Sequence, residues 1–430
     1  MKRLFGVAIF VICVVGLVTL VTHTVDAQNA THIHYLPQHY IFTPIGGIKE
    51  GAMPSINNFG EIVYEKYVAE GTNNIISTVR DVIPTTIMPE FPNINDSGEI
   101  VYQEGHLGGG WAVMSTVRGY VAFGSKPAIS NTGEIVYENT QLLPRLLIST
   151  TRGTLISDPD VNSIGFIPDV NDSGEVVYIS WDSARIRQIF STVRGQITFF
   201  PAGIYVNPGS PRINNSGEII YVAYDESDFR HLFSTVHGQI TALNSFPYPP
   251  HVGPWTGEEE VGYYFTGVGY YPDINDKGQI VINVSLAEGP YWDSGSQRWY
   301  ANGEMRMYLG EPAIEVEIDI KPGIFPNEIN KSSKADIPVA IFGTSDFDTT
   351  TVELMSITLA GDHIRLKGSG VPKALFEDLN GDGFLDILVS FTAGKLNLTK
   401  SDTHAILEGQ THNGSWFIGE DTVIVRGKVK

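Results

Sequence analysis

The chain has 430 residues, with 28 Lys and Arg against 48 Asp and Glu, for a net charge of −20. That balance argues against nucleic acid and anionic membrane surfaces as partners, because basic patches dominate such binding. Apolar residues make up 42% of the chain, which excludes wholesale disorder, and its 45 Gly and 24 Pro predict frequent turns.

In chain order, Lys2 and Arg3 precede an apolar run from Leu4 to Val21, followed by small-residue positions at Val25 and Ala27. This pattern predicts a secretory signal peptide over residues 1–27 and a short leader over 28–35. The run is also long enough to be kept as an anchor. No other stretch is apolar and long enough to span a bilayer, so no membrane span is expected after cleavage. Cys13 is the sole cysteine. The cleaved protein therefore has no disulfide, and packing, turns and bound ions must stabilise it. The sequons at Asn95, Asn171 and Asn397 read as turn chemistry in a chain of bacterial character, and His32 and His34 as part of the leader.

Internal repetition dominates residues 36–312. One block recurs six times: INNFGEIVY from Ile56, INDSGEIVY from Ile94, ISNTGEIVY from Ile129, VNDSGEVVY from Val170, INNSGEIIY from Ile213 and INDKGQIVI from Ile274. Its Asn or Asp caps its own backbone, and its glycine accepts positive φ or avoids a Cβ clash in a tight hairpin. A second block follows: STVRD from Ser77, STVRG from Ser115, STTRG from Ser149–Gly153, STVRG from Ser191, STVHG from Ser234 and, weakly, WYANG from Trp299. The strand after the first turn is apolar on both faces, which fits strands covered on both sides. Each unit therefore predicts four short strands, the size of one propeller blade, and six units predict a six-bladed β-propeller. An open solenoid of hairpins is the rival. The likeness of Gln38–Gly47 to Gln196–Gly203 predicts that an N-terminal strand completes the last unit. An insertion near 244–270 leaves room for a degenerate further unit.

These units resemble the HAF-type repeats of bacterial extracellular proteins. That resemblance implies architecture rather than activity.

Two columns of charge recur. Glu61, Glu99, Glu134, Glu175 and Glu218 follow the turn glycine, with Gln279 in the sixth unit, while Arg80, Arg118, Arg152 and Arg194 mark the second hairpin, with His237 in the fifth. Recurrence in every unit predicts structural Glu–Arg pairing rather than a ligand grip.

Residues 313–430 form a different module with no helical periodicity, predicted to be a β-sandwich. Its string IDIKPG…IPVAIFGT…DLNGDGFLDILV resembles a C-terminal accessory domain of bacterial secreted proteins, which implies no catalytic activity. Within it, Asp378, Asn380 and Asp382 place oxygen ligands at alternate positions. The Phe384 carbonyl and Asp386 extend that set, and Gly383 permits the bend, so the loop is expected to bind Ca2+. Val389 stands where an EF-hand carries Glu, and a strand follows instead of a helix, so the loop resembles the Asp-rich calcium loops of extracellular β-hairpins.

No nucleophile elbow, zinc helix, phosphate-binding loop or dinucleotide fingerprint is present. His404 and His412 near Asp402 have nothing to fix their geometry, and the glycine-rich stretch Gly105–Trp111 reads as a loop. Glu258, Glu259 and Glu260, amid Trp255, Tyr263, Tyr264 and Phe265, read as a solvated loop, though carboxylates among aromatics also suit sugar chemistry. The expected function is that of a secreted, non-catalytic binding protein for an extracellular glycan or protein. The alternatives are a secreted carbohydrate-active hydrolase or lyase, and a structural surface-layer component.

Overall fold

The computed structural model describes residues 40–45, 51–68, 72–85, 88–105, 109–139, 145–158, 167–182, 184–198, 209–224, 229–241, 245–246, 251, 262–293 and 298–427. The predicted signal peptide, the leader with His32 and His34, Trp255 and Glu258–Glu260 lie outside them. Strands make up almost all of the described regular structure, with a single 3-10 turn at Thr349–Thr351.

The repeats fold as a β-propeller. Five four-stranded antiparallel sheets follow one another. The first contains Gly51–Ile56, Ile62–Val68, Thr72–Ser77 and Asp81–Ile83. The sixth has no fourth strand of its own. Asp273–Ile274, Ile280–Asp293 and Arg298–Glu315 supply three, and Tyr40–Pro44 pairs antiparallel with the third, Tyr40 opposite Pro312 and Pro44 opposite Tyr308. The N-terminal strand thus completes the last sheet, as expected.

Burial explains the apolar run after each turn. Ile62, Val63, Tyr64 and Glu65 are all buried, because the second strand of each sheet lies between two neighbouring sheets. Val63 packs on Ile94, Ile100 and Tyr102 of the second sheet. Ile62 and Tyr64 point the other way, onto Val281 and Met307 of the sixth. Equivalent clusters join the second sheet to the third, third to fourth, fourth to fifth and fifth to sixth. Six inter-sheet cores therefore close a ring. Each fully buried Ile or Val contributes about 1.5–3 kcal/mol.

Two details differ from expectation. WYANG does not occupy the second-block position. Val63, Val101, Val177 and Ile220 each face a serine, Ser77, Ser115, Ser191 and Ser234, and the corresponding Val281 faces Leu309. The sixth unit needs no turn signature there, because its fourth strand comes from the other end of the chain. The insertion adds a strand, Gly262–Val268, to the edge of the sixth sheet against Ile280–Asp293. Among the described residues it builds no further sheet.

Strand Arg298–Glu315 runs past Pro312 and pairs in parallel with Trp416–Thr422 at Ala313–Glu315. Two sheets, Ile318–Ile320/Asp336–Ile341/Asp386–Thr392/Ala374–Glu377 and Trp416–Thr422/His404–Thr411/Val352–Leu359/Asp362–His363, face one another across one apolar core. That arrangement is the expected β-sandwich. Glu311 ties it to the propeller, accepting from Gln279 Nε2 and Trp416 Nε1, both at 3.1 Å.

Candidate functional site: the axial channel

In five of the six first-block turns an asparagine caps its own backbone, and in the third Ser130 takes that place, its Oγ accepting from Glu134 N–H at 3.2 Å. Asn57 Oδ1 accepts from the N–H groups of Phe59 and Glu61, both at 3.0 Å. Gly60 sits at φ 80°, in the left-handed region that favours glycine. A Cβ at Gly60 or Gly217 would meet nothing within 4 Å. All six glycines of the column lie at φ between 73° and 85°, and the one contact below 3.0 Å that a Cβ would make, at Gly133, is with the flexible end of Arg118, so backbone conformation holds the column constant.

The next residue of each turn forms a ring about the axis. In order round the propeller these are Asn58, Asp96, Asn131, Asp172, Asn215 and Asp276, a strict alternation of amide and carboxylate. Each backbone N–H donates to the Oδ1 of the following member: Asn58 to Asp96 (2.8 Å), Asp96 to Asn131 (2.8 Å), Asn131 to Asp172 (2.7 Å), Asp172 to Asn215 (2.7 Å), Asn215 to Asp276 (2.6 Å), and Asp276 back to Asn58 (2.7 Å). The amide nitrogens of Asn58 and Asn215 each donate to the carboxylates on both sides. Alternation satisfies every neighbour and keeps the three negative charges apart.

Outside this ring lie the recurring charges. Glu61, Glu99, Glu134 and Glu175 each accept from the arginine of their own sheet, at 2.6, 2.9, 2.7 and 2.7 Å. Three of those arginines also donate to the turn-glycine carbonyl of the next sheet: Arg80 to Gly98 (3.0 Å), Arg118 to Gly133 (2.8 Å) and Arg194 to Gly217 (3.0 Å). The columns are internal clasps, as expected.

The axis itself opens as a small polar pocket of about 60 Å3. Its mouth is the Asn/Asp ring. Below that pass the inner-strand residues Ile56, Ile94, Ile129, Val170, Ile213 and Ile274, whose side chains belong to the inter-sheet cores, and Asn93, Asp169 and Asp273 also line the wall. The six repeats differ most at this last position, where Ser55, Asn93, Ala128, Asp169, Arg212 and Asp273 occupy one column. Four of them still act as staples to the next sheet. Ser55 accepts from Ile94 N–H (3.2 Å), Asn93 from Ile129 (2.8 Å), Asp169 from Ile213 (2.8 Å) and Asp273 from Ile56 (2.9 Å).

Arg212 breaks the pattern by placing a buried guanidinium beside two buried carboxylates. Its Nε lies 3.4 Å from Asp273 Oδ1 and lacks a hydrogen-bond partner. Burial pushes the Asp169 carboxyl up to about 7; the attraction of Arg212 opposes that shift and the charge of Asp273 adds to it. Burial raises Asp273 as well, again opposed by Arg212. The sequence reading missed both features. The alternating third residue of the turn, and the one irregular column two residues before the capping Asn, were the signals that pointed to them.

In the sandwich, the expected calcium loop joins Ala374–Glu377 to Asp386–Thr392. The Asp378 carboxylate accepts from the N–H groups of Gly381 (2.7 Å), Asp382 (3.2 Å) and Gly383 (3.0 Å). Asn380 Oδ1 accepts from Asp382 N–H and Asp382 Oδ1 from Phe384 N–H. The oxygen-only donor set of Asp378, Asn380, Asp382 and the Phe384 carbonyl suits a hard cation by its chemistry. Asp386 is buried, and its two oxygens take the N–H groups of Gly343 (2.9 Å) and Leu379 (2.7 Å), which braces the loop base. Among the described residues, no three His, Cys, Asp or Glu side chains are grouped so as to hold a metal ion. His412 pairs with Glu353 and His404 with Thr403, so the sandwich histidines do not meet in one site with Asp402. No described helix is long and apolar enough to cross a membrane.

Fold and site define a β-propeller with a polar axial channel, joined through one strand to a β-sandwich. The sequence matches no family model and no curated protein. Among solved structures it is similar to the propeller domain of the Trilobed protease from Pyrococcus furiosus, with 8% identity over 60% of this chain and 94% of that one, at a TM-score of 0.31. It is similar to a thermostable family-43 glycoside hydrolase, with 12% identity over 63% and 91% of the two chains, at a TM-score of 0.29. A third is the extracellular domain of a hybrid two-component system from B. thetaiotaomicron, with 8% identity over 90% of this chain and 58% of that one, at a TM-score of 0.31.

Proposed function

We propose that this chain is a secreted, non-catalytic binding protein of the bacterial HAF-type repeat class. In this reading the six sheets are six blades, and the axial channel receives the ligand. The sandwich is an accessory domain whose Asp378–Asp386 loop holds calcium. The N-terminal signal pattern supports secretion.

One observation carries the reading. The charges that recur from sheet to sheet are occupied in clasps within and between sheets, whereas from the column that departs from the repeat Asn93, Asp169 and Asp273 reach the axial pocket. A scaffold repeats what serves cohesion, and a binding site departs from the repeat. The departing residues include two buried carboxylates and a buried guanidinium, groups that are costly to bury without a use. Their role by this reading is to fix the orientation of a small polar ligand.

A hydrolase is the second reading, because a carboxyl poised near 7 on a channel wall has the character of a general acid. Both readings meet one test. The protein and two variants that crowd the channel mouth, Asn131→Trp and Asn215→Trp, are screened against glycans and small polar metabolites, with thermal melting as the fold control. A ligand bound by the native protein and lost in a folded variant supports the channel. Equal binding by all three overturns it. Turnover of a bound glycan, absent from Asp169→Asn, would move the protein to the hydrolase class.

A further inference from the structure

One edge of the sandwich stands unpaired beside exposed apolar side chains. Strand Ala374–Glu377 ends its sheet, and among the described residues it pairs only with Asp386–Thr392, from Ala374 opposite Val389 to Glu377 opposite Asp386. The other end of that sheet, Ile318–Ile320, lies against Trp416–Thr422: Ile320 N–H donates to Asp421 Oδ2 at 2.8 Å, and a Cβ on Gly419 would stand 2.7 Å from Ile318 Cγ2. At the unpaired edge Leu375 is 51% exposed and Phe376 40%, and Leu366 and Val371 before the strand and Leu379 after it are exposed as well. Free N–H and C=O groups beside apolar side chains are a template for another strand. Charge is divided about this strand. Residues 365–373 carry Arg365, Lys367 and Lys373 and no acid, whereas residues 377–385 carry Glu377, Asp378 and Asp382 and no base. Arg365 and Lys373 share one carboxylate, Asp336, so the basic side keeps a surplus of positive charge. Glu377 is exposed, and its side chain has no ion pair among the described residues.

We infer that the edge of Ala374–Glu377 pairs antiparallel with the same edge of a second copy of this chain, about a two-fold axis at Leu375. The run Lys373–Ala374–Leu375–Phe376–Glu377 is its own complement in that register. Lys373 stands opposite the partner's Glu377, Leu375 opposite the partner's Leu375, and the small Ala374 opposite the large aromatic of the partner's Phe376. Directly opposed residues of an antiparallel pair share a face of the sheet, which brings each of these pairs within side-chain reach. The same axis sets each basic segment against the other copy's acidic loop. A two-fold contact requires one patch that complements itself, and this division of charge supplies it. Charged residues usually guard a sheet edge by repulsion. Here the antiparallel pairing joins opposite charges, and a parallel approach would set like charges together. The pairing makes one eight-stranded sheet from two four-stranded ones. The resulting particle carries two axial pockets, so a repeating ligand is held at two points.

Sedimentation equilibrium of the full-length protein tests this, over a concentration series and in EDTA so that no divalent cation neutralises the acidic loop. The native protein should dimerise. Glu377→Lys and Lys373→Glu each set like charges opposite one another at both ends of the paired strands, and each should weaken the dimer about ten-fold or more. The double variant reverses both charges and should return the affinity to within about three-fold of native. Thermal melting checks that every variant is folded. If the variants with Lys373→Glu fail to fold beside Asp336, the series native, Glu377→Gln, Glu377→Lys decides, with affinity falling in that order. A monomer at every concentration overturns the proposal. So does a dimer that the single variants leave unchanged, since another surface then joins the copies, and so does a loss that the double variant fails to reverse.

Discussion

Asp276 and Asn58, 218 positions apart in sequence, bond to each other where the ring closes. The Asp276 N–H donates to Asn58 Oδ1 at 2.7 Å, and Asn58 Nδ2 donates to Asp276 Oδ2 at 2.6 Å. The same asparagine donates through Nδ2 to Asp96 Oδ2 at 2.8 Å. A closed ring that alternates donor-bearing amides with carboxylates must have an even number of members, and six satisfy it. Asn58→Asp would remove both amide donations and set three carboxylates side by side. A loss of about 1–2 kcal/mol is expected, read as a lower denaturant midpoint. A midpoint equal to that of the native protein would show that the alternation has no energetic role.

Closure also depends on the strand at the start of the described chain. Tyr40 is 1% exposed and packs its ring edge-on to His237, with ring centroids 5.8 Å apart. Tyr40→Ala should cost about 3 kcal/mol or more, as for other large aromatic truncations. Removing Tyr40–Pro44 altogether should expose the edge of Arg298–Glu315 and promote self-association. Light scattering of the truncated chain checks this, and a monomeric, equally stable product would refute it.

The Glu–Arg clasps should be unequal in their two halves. Glu175 is buried and accepts from Arg194 Nε at 2.7 Å and from Ser191 Oγ, whereas Arg194 is 38% exposed. Arg194→Ala leaves the serine bond in place and should cost only about 0.5–1 kcal/mol. Glu175→Ala strips the acceptor from both donors and should cost about 1–3 kcal/mol. Chemical denaturation of the pair of variants reads the ordering, and a reversed order would mean that the arginine's reach to Gly217 dominates.

Stability should fall as pH rises from about 4 to about 7. Burial pushes Asp169 to about 7, and likewise Glu65, whose bond from Phe91 N–H opposes the shift while Glu90 adds to it. Between the ordinary carboxylate range and 7, the folded state then holds protons that the unfolded chain has released. The slope of unfolding free energy with pH is therefore negative in that window and flattens above it. A tenfold gain in a carboxyl's proton affinity on folding is worth ~1.4 kcal/mol before solvent and coupling reduce it. Denaturation midpoints at pH 5 and pH 8 should differ in that direction, and Asp169→Asn should shrink the difference. A flat profile would place these carboxyls in water.

Calcium should raise the melting temperature of the native protein and leave Asp382→Ala unchanged, because ligand bound only by the folded state stabilises by mass action. Calorimetric titration gives the affinity directly. An unchanged affinity in Asp382→Ala would remove the loop from the assignment.

Local features were legible along the chain. Asn57 bonds within four residues and Gly60 needs its φ from its own backbone, so the turns, the four-strand unit and its six-fold repetition could be read without coordinates. The buried run at Ile62–Val63–Tyr64 announced strands covered on both faces. The donor–acceptor alternation from Asn58 to Asp276 was also written there, but its meaning depends on which turns are neighbours. It took the folded ring to bring Asp169, Arg212 and Asp273, spread over 105 positions, into one small buried volume at the axis. No local periodicity encodes that meeting. It arises because inner strands converge when six sheets pack into a ring, and because burial, absent from the linear chain, couples charges that water would otherwise screen.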